Sequence, residues 1–436
     1  MDKHLHHPRL QGALRAPSSK SEAHRALIAA ALNYLYNQAA DPIRILCTDL
    51  NQDIEATVRC LCALGAEIRR EDDFLTVTPI QEISPTPHLY CGESGSTLRF
   101  LLPVCCALGA TDHAPENFTV YLHMEGRLPE RPLSPLYEEL ESHGAILSPI
   151  GSNPLVVAGK LTDGDYTLNG GVSSQFISGL LFALPLLKGD STIRVTGKVE
   201  SEPYIYMTQK ILQSVIRDMD CRCPCFYGIK GLDHRLPTPC HGQEFTVGGD
   251  WSGAAFFLTA GVLNKDGSVT VTGLDTNSPQ GDKAVVDVLR RMGGRITHNA
   301  DGSLTALPSR LHGVEIDASQ IPDLVPILAV AASVAEGETV ILGASRLRLK
   351  ESDRIKTVRD MISALGGDVT ETDDGLILRG APRLMGGIVD SAGDHRIAMS
   401  GAVASLICAD PVTVVGAEAV SKSYPMFWEE FERITV

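Results

Sequence analysis

Six times along the chain, a short turn of Gly, Ser, Asp or Lys runs directly into a stretch of almost wholly apolar residues of about helical length. The stretches follow Lys20 (ALIAAALNYL), Gly95 (LRFLLPVCCAL after two hydroxyl residues), Ser173 (QFISGLLFALPLL), Asp250 (AAFFLTAGVL), Asp323 (LVPILAVAASVA) and Asp394 (RIAMSGAVASLI). The anchors are separated by 75, 78, 77, 73 and 71 residues. A helix that is apolar on every side has no face for water and belongs inside a core. Near-constant spacing makes one structural unit repeated six times the economical reading.

A second element recurs inside the units. Amphipathic patterns, clearest over Asp53 to Leu64 and Arg354 to Leu365, stop at Gly65-Ala66, Gly144-Ala145, Gly293-Gly294 and Gly366-Gly367. Glycine at the end of a helix supplies the left-handed cap. Two short strands joined by a polar turn then follow, as at Glu67-Ile68 and Phe74 to Val77, or at Asp368-Val369 and Leu376 to Leu378 around Asp373-Asp374-Gly375. The third unit, around Asp218 to Cys225, lacks this signature. Each unit therefore reads as strand, helix, strand, helix, strand, strand. The expected fold class is α/β (of the α+β kind), with six units divided three and three and a boundary near His241 to Gly249.

Length supports that division, because 436 residues exceed what one hydrophobic core commonly holds. The formal net charge of -15 argues against nucleic acid or an anionic membrane as partner, since both select basic surfaces. The opening residues MDKHLHHPRL lack the apolar core of a signal peptide, and no 18-residue apolar run is present, so a cytoplasmic location is expected. The 11 cysteines are expected to be free thiols. Cys221, Cys223 and Cys225, with Cys240 and His241, are spaced C-x-C-x-C, which is not the paired spacing of zinc ribbons, and no metal is expected.

Helix starts carry unpaired N–H groups and a partial positive charge, which makes them anion sites. The turns here are rich in hydroxyls: Ser18-Ser19-Lys20-Ser21, Ser94-Gly95-Ser96-Thr97 and Ser173-Ser174. One hydroxyl suffices to cap a helix. The surplus, with Lys20, Arg25 and Arg99 close by, favours anion binding over capping alone. Leu347 to Arg354 reads LRLKESDR, which by itself suits a solvated helix start. Gly393-Asp394-His395-Arg396 lies at a buried helix start; His395 is read as structural. Lys422 stands in the turn SKSYP. An acidic chain that gathers cations at helix starts focuses positive potential into a cleft, and Asp323 and Glu351 among those cations are candidates for proton transfer. No nucleotide-binding glycine loop, zinc helix or nucleophile elbow is present.

Taken in order, SSKSEAHR at 18–25, ESGSTLR at 93–99, GRLPERP at 126–132, VSSQF at 172–176, SEPY at 201–204, IPD at 321–323, LRLKESDR at 347–354, GDHR at 393–396 and SKSYP at 421–425 resemble the 5-enolpyruvylshikimate-3-phosphate synthase family. The resemblance covers nearly the whole chain. It implies two inverted α/β domains, each of three βαβαββ repeats around buried parallel helices, that close over shikimate 3-phosphate and phosphoenolpyruvate. By motif position, residues 17–245 would form one domain and 1–16 with 246–436 the other.

The same resemblance implies the site. Lys20 would touch both substrates. Ser21, Arg25, Ser173, Ser174, Ser201, Tyr204, Asp323 and Lys350 would hold shikimate 3-phosphate, and Gln175 would lie between the two ligands. Arg127, Arg354, Arg396 and Lys422, with the backbone at Gly95, would hold phosphoenolpyruvate, and the inhibitor glyphosate would compete there. Asp323 and Glu351, with Lys20, are the implied catalytic residues, and neither metal nor organic cofactor is required. A monomer acting on small molecules is expected. The sequence departs from the commoner family pattern at Ser18, Glu93 and Arg346. Two alternatives are an enolpyruvyl transferase acting on UDP-N-acetylglucosamine, whose reactive cysteine has no counterpart in GRLPERP, and a non-catalytic anion-binding homologue.

Overall fold

A computed structural model describes residues 1–6, 8–216, 219–234 and 244–436, with the backbone alone for residues 219–223. The chain forms two compact units, one of Met1–Ser19 with Gly248–Val436 and one of Lys20–Val247. Each apolar stretch is a helix: α1 (Lys20–Asn37), α3 (Gly95–Leu108), α5 (Ser174–Ala183), α7 (Trp251–Leu263), α9 (Val325–Ala332) and α11 (His395–Ala404). Every residue of α7, α9 and α11 is buried, as expected for helices without a polar face. Between them run α2 (Gln52–Leu64), α4 (Leu136–Ser142), α6 (Glu202–Val215), α8 (Val285–Arg291) and α10 (Arg354–Ala364), and α12 (Phe427–Arg433) follows the last. Gly65 closes α2 at φ 122°, its N–H donating to the carbonyls of Leu61 and Cys62. Gly144, Gly293 and Gly366 follow their helices with positive φ as well.

The strands repeat one pattern. In the unit of Lys20–Val247, strand Ile43–Leu46 pairs in parallel with Glu244–Thr246 and antiparallel with Phe74–Thr78, which pairs antiparallel with Glu67–Glu71. His88–Tyr90, Val120–His123, Leu155–Gly159 and Ala145–Leu147 form the second such sheet. Asp165–Asn169, Ser191–Thr196, Phe226–Ile229 and Met219–Cys223 form the third. This last repeat keeps its sheet although α6 ends at Ile216 in an extended conformation instead of at a glycine cap. In the other unit, two sheets of the same order are built on Val269–Thr272 and Glu338–Leu342. The sixth repeat is shorter: Val412–Val415 lies between Gly387–Asp390, parallel, and the N-terminal strand Asp2–Leu5, antiparallel. Strand burial alternates, as in Ile43–Leu46 and Val269–Thr272, so each sheet presents one face to its helices.

In each unit one sheet takes its first strand from a distant part of the chain. Gly12–Arg15 pairs in register with Val269–Thr272, and Glu244–Thr246 with Arg44–Leu46. The two chain passages run side by side at residues 16–19 and 248–250. Ser19 N–H donates to the Gly248 carbonyl at 2.8 Å, and Asp250 N–H to that of Pro17 at 2.7 Å. Gly249 fits there because it has no side chain: a Cβ would lie 2.4 Å from the Gly273 carbonyl oxygen and 3.0 Å from Ala16 Cβ. Gly179 serves the same end within α5, where a Cβ would lie 2.4 Å from the Arg99 carbonyl oxygen of α3.

Seven cysteines, Cys47, Cys60, Cys62, Cys91, Cys105, Cys106 and Cys408, are free. Cys225 departs from the expectation of free thiols: it is disulfide-bonded. Cys240, His241 and the side chains of Cys221 and Cys223 lie outside the described residues. Among the described residues, no helix is long and apolar enough to cross a membrane. We predict that Gly249→Ala destabilises the protein by about 1–3 kcal/mol in urea denaturation, the usual cost of forcing a methyl group into packed surroundings. Lys265→Ala, at an exposed position, should stay within about 0.5 kcal/mol of the parent. Equal stability of the two variants would show that the passage has room to yield.

Candidate active site

In the unit containing the C-terminal half, three helix starts meet on one guanidinium. Arg354, the first residue of α10, is 1% exposed. Its Nε donates to Asp394 Oδ2 at 2.7 Å, Nη1 to Asp323 Oδ1 at 2.7 Å, and Nη2 to Glu351 Oε2 at 2.8 Å and Asp394 Oδ1 at 3.3 Å. Asp394 is the N-cap of α11, where it accepts from Arg396 N–H at 3.0 Å, and it also accepts from Ser352 Oγ at 3.0 Å. Asp323 lies in the turn Pro322–Leu324 that leads into α9.

Asp323 is the partly exposed member, with 22% of its side chain accessible. Arg396 Nη2 donates to its Oδ2 at 3.1 Å, and Lys350 Nζ lies 3.6 Å from its Oδ1. Burial disfavours the ionised carboxylate, but Arg396, Lys350 and Arg354 together outweigh it and hold Asp323 well below the usual carboxylate range. Burial pulls the Lys350 ammonium down to about 8, against the opposing pull of Asp323. Burial also opposes the charge on Arg354, yet Asp394, Glu351 and Asp323 keep it firmly protonated. Lys422, 6% exposed, closes the helical turn Ala417–Lys422 in the same unit.

LRLKESDR divides into two environments. Lys350, Glu351 and Arg354 belong to this buried cluster. Arg348 instead bonds Glu371 at 2.7 Å and lies 3.2 Å from Asp353, while Asp353 caps α10 through Lys356 N–H. Arg346, one of the unusual residues, donates to the Ser319 carbonyl at 2.9 Å. His395 is buried, with Nδ1 3.9 Å from Asp394 Oδ1.

The unit of Lys20–Val247 gathers the starts of α1, α2, α3 and α5. Lys20 opens α1 and donates to Asp53 Oδ2 of α2 at 2.9 Å. Thr97 Oγ1 donates to Ser94 Oγ, the N-cap of α3, at 2.7 Å, and pairs with Thr57 of α2 at 2.7 Å. His24 shares Thr57 at 2.7 Å, and burial pushes it down to about 3, so the imidazole is neutral. Gln175, capped by Ser173, accepts from Arg99 Nη1 at 3.0 Å and donates to Ser96 Oγ at 2.9 Å. This fixes α3 against α5. A Cβ at Gly95 would stand 2.9 Å from an Nη1 of both Arg99 and Arg131, so two guanidiniums converge on that backbone.

Other expected residues are placed differently from one another. Arg25 lies five residues further along α1 than Lys20 and bonds to α6, whereas Lys20 bonds to α2. Arg25 is 2% exposed and donates to neutral oxygens: Thr208 Oγ1 at 2.7 Å, the carbonyls of Ser21 at 2.7 Å and Tyr204 at 3.0 Å, and Ser178 Oγ at 3.5 Å. Burial lowers its pKa to about 10, still far above neutrality. Ser201, the N-cap of α6, holds a left-handed φ of 54° and is buried, as is Ser174. Arg127 is half-exposed and lies 3.6 Å from Glu130. Glu93 folds onto Gly126, where a Cβ would meet its carboxylate.

Asp53, Asp394 and Arg131 are not among the site residues expected from the motifs: Asp53 holds Lys20, Asp394 holds Arg354, and Arg131 converges on the Gly95 backbone, partnerships that only the fold supplies. Among the described residues, no three His, Cys, Asp or Glu side chains are arranged to hold a metal.

Comparison with known proteins gives the family. A family model described as EPSP synthase (3-phosphoshikimate 1-carboxyvinyltransferase) matches residues 6–431. A 3-phosphoshikimate 1-carboxyvinyltransferase of Clostridium kluyveri is 41% identical over 98% of this chain and 95% of that protein. One from Clostridium acetobutylicum is 40% identical with the same coverage. An EPSP synthase structure from Acinetobacter baumannii matches with a TM-score of 0.79 at 25% identity, covering 100% of this chain and 98% of that one. The chain belongs to the EPSP synthase family.

Proposed function

We propose that this enzyme transfers the enolpyruvyl group of phosphoenolpyruvate to the 5-hydroxyl of shikimate 3-phosphate and releases phosphate. The observation that carries the reading is the grip of Arg354, Arg396 and Lys350 on Asp323, with Glu351 on the same Arg354 guanidinium. Three cations ordered around one partly exposed carboxylate suit an anionic substrate next to an acid–base pair. UDP-N-acetylglucosamine as acceptor has no comparable support.

In the reaction the 5-hydroxyl oxygen bonds to C2 of phosphoenolpyruvate as C3 gains a proton, giving a tetrahedral intermediate. The C2–O bond to phosphate then breaks as C3 loses a proton. Asp323 takes the hydroxyl proton, and Glu351 exchanges the proton at C3. While its three cations hold it, Asp323 is a poor base. An anionic substrate that engages Arg354 and Arg396 draws those donors away and raises the carboxylate's proton affinity when a base is needed. Lys422 and the Gly95 backbone with Arg127 complete the phosphoenolpyruvate site. Ser21, Arg25, Ser173, Ser174, Ser201, Tyr204 and Lys350 hold shikimate 3-phosphate, and Lys20 and Gln175 lie between the ligands. No metal or organic cofactor is required, and the reading takes the chain as a cytoplasmic monomer.

Phosphate release with the two substrates tests the assignment. Asp323→Asn and Glu351→Gln should each lower kcat by about 100-fold or more while the circular dichroism spectrum is retained, the usual contribution of a general acid or base. A folded variant with near-parental turnover would remove its residue from the mechanism.

Gly95→Ala tests the anion loop separately. The added methyl would displace the ends of two flexible guanidiniums, so the fold should survive while the KM for phosphoenolpyruvate rises by about 10-fold, roughly the worth of one or two kcal/mol of binding. Glyphosate should compete with phosphoenolpyruvate in the parent and lose most of its inhibition in the variant. Unchanged KM and inhibition would place the loop outside the site.

A further inference from the structure

Asp282 is a carboxylate that the mechanism above does not use. It lies in the turn Gly281–Ala284 ahead of α8 and has no exposed surface. Its Oδ2 accepts a short hydrogen bond from Ser252 Oγ in the first turn of α7. Its Oδ1 is buried and has no hydrogen-bond partner. Arg396 is within electrostatic reach and is also incompletely bonded. Its Nη2 and Nη1 donate to the carboxylate and carbonyl of Asp323, whereas its Nε is buried without a partner. A buried acceptor and a buried donor, each left open on residues within electrostatic reach of one another, are costly, and native interiors rarely keep such groups without a role.

We infer that Asp282 is a positioning residue for the reaction, acting through Arg396 by setting how firmly that guanidinium is held to Asp323. The inference rests on the proposed phosphoenolpyruvate transfer and adds a residue to it. Two carboxylates compete for one guanidinium, and the outcome depends on whether Asp282 carries charge. Burial and the negative charge of Asp323 raise Asp282 to about 7, against the pull of Arg396 and the Ser252 hydrogen bond, with Asp250, the N-cap of α7, adding to the rise. Lys283, its chain neighbour, donates instead to the Ser278 carbonyl at 2.9 Å.

The sign follows from these charges. Below about pH 7 Asp282 is neutral, and Arg396 is left to Asp323 or to an anionic substrate. Above it, a second carboxylate competes for Arg396 and adds negative potential beside the substrate anion, so phosphoenolpyruvate binds more weakly as pH rises.

The experiment is the KM for phosphoenolpyruvate between pH 6 and 8.5, in parent, Asp282→Asn and Ser252→Ala enzymes. The asparagine keeps the shape and the bond to Ser252 but cannot ionise. In the parent the KM should rise by about 10-fold more across this range than in Asp282→Asn, the effect expected of one charge at partly buried range. Titration of the substrate's own phosphate is common to all three enzymes and cancels. Ser252→Ala removes the donor that favours ionised Asp282, so its rise in KM should move to higher pH. This variant keeps the test alive if Asp282→Asn does not fold, and a purely structural role would not shift the profile. Parallel profiles in the parent and either folded variant would overturn the role of Asp282 and leave the transfer reaction standing. Absence of turnover in the parent would overturn the reaction and this inference with it.

Discussion

The guanidinium of Arg354 ties together the part of the structure where chemistry is expected. Its four hydrogen bonds reach Asp323 ahead of α9, Asp394 at the cap of α11 and Glu351 ahead of its own helix. Arginine suits this place because its rigid fork donates in several directions at once and stays charged when buried. Lysine, a single point charge, could not span three carboxylates. Removing one member of such a buried group leaves uncompensated charge and costs about 3–5 kcal/mol. Stability and the placing of Asp323 therefore rest on the same contacts. Asp323, the proposed base, is held by buried contacts at helix starts.

The repeat explains why helix starts come together at all. For α3, α5, α9 and α11 the buried helix follows the first, parallel strand of its own sheet, so its N-terminus lies at the end of that sheet. Three stacked repeats bring three such ends into reach, as the Gln175 bonds to Ser96 and Arg99 show for α3 and α5. Glycine makes the stacking close, with Gly179 resting on the Arg99 carbonyl where any side chain would collide. Strand pairing across long stretches of sequence then fixes the chain passages near residues 16–19 and 248–250. Main-chain hydrogen bonds there leave little tolerance for added bulk.

Much of this was legible in the sequence, and the reasons are physical. Apolar periodicity located all six buried helices because a helix without a polar face has only one environment. Glycine caps located four of the amphipathic helices for a similar reason, since few other residues accept their φ. The sheet of the third repeat was not legible: α6 ends at Ile216 without a glycine, and the pairing of Met219–Cys223 depends on strands elsewhere. Pairing partners escaped too. Asp53 reads as an ordinary first-turn carboxylate until Lys20 is seen to reach it. Asp394 reads as a cap until Arg354 is found on its other side. Lys20 and Arg25 look like one cationic pair in SSKSEAHR, yet helical geometry sends them to α2 and α6 respectively. The disulfide at Cys225 could not be told from a free thiol in a cluster spaced C-x-C-x-C, which fits several readings.

The cations of the two units are kept in different states of readiness. Arg354 and Arg396 are neutralised in advance by carboxylates, so an anion arriving at them must displace Asp323 or share donors with it. Arg25 is held by hydroxyl and carbonyl oxygens, which carry no net charge. Burial disfavours its charge, and Glu22 favours it electrostatically. A phosphate that can satisfy such a group gains much of its affinity from a cost the protein has already met in folding. An anion exchanged for Asp323 gains less in binding, because one ion pair replaces another. What it changes is the carboxylate left behind, whose proton affinity rises as its partners leave. One arrangement thus favours holding a ligand and the other favours converting substrate charge into basicity, and a transferase that must grip one anion while reacting with a second has use for both.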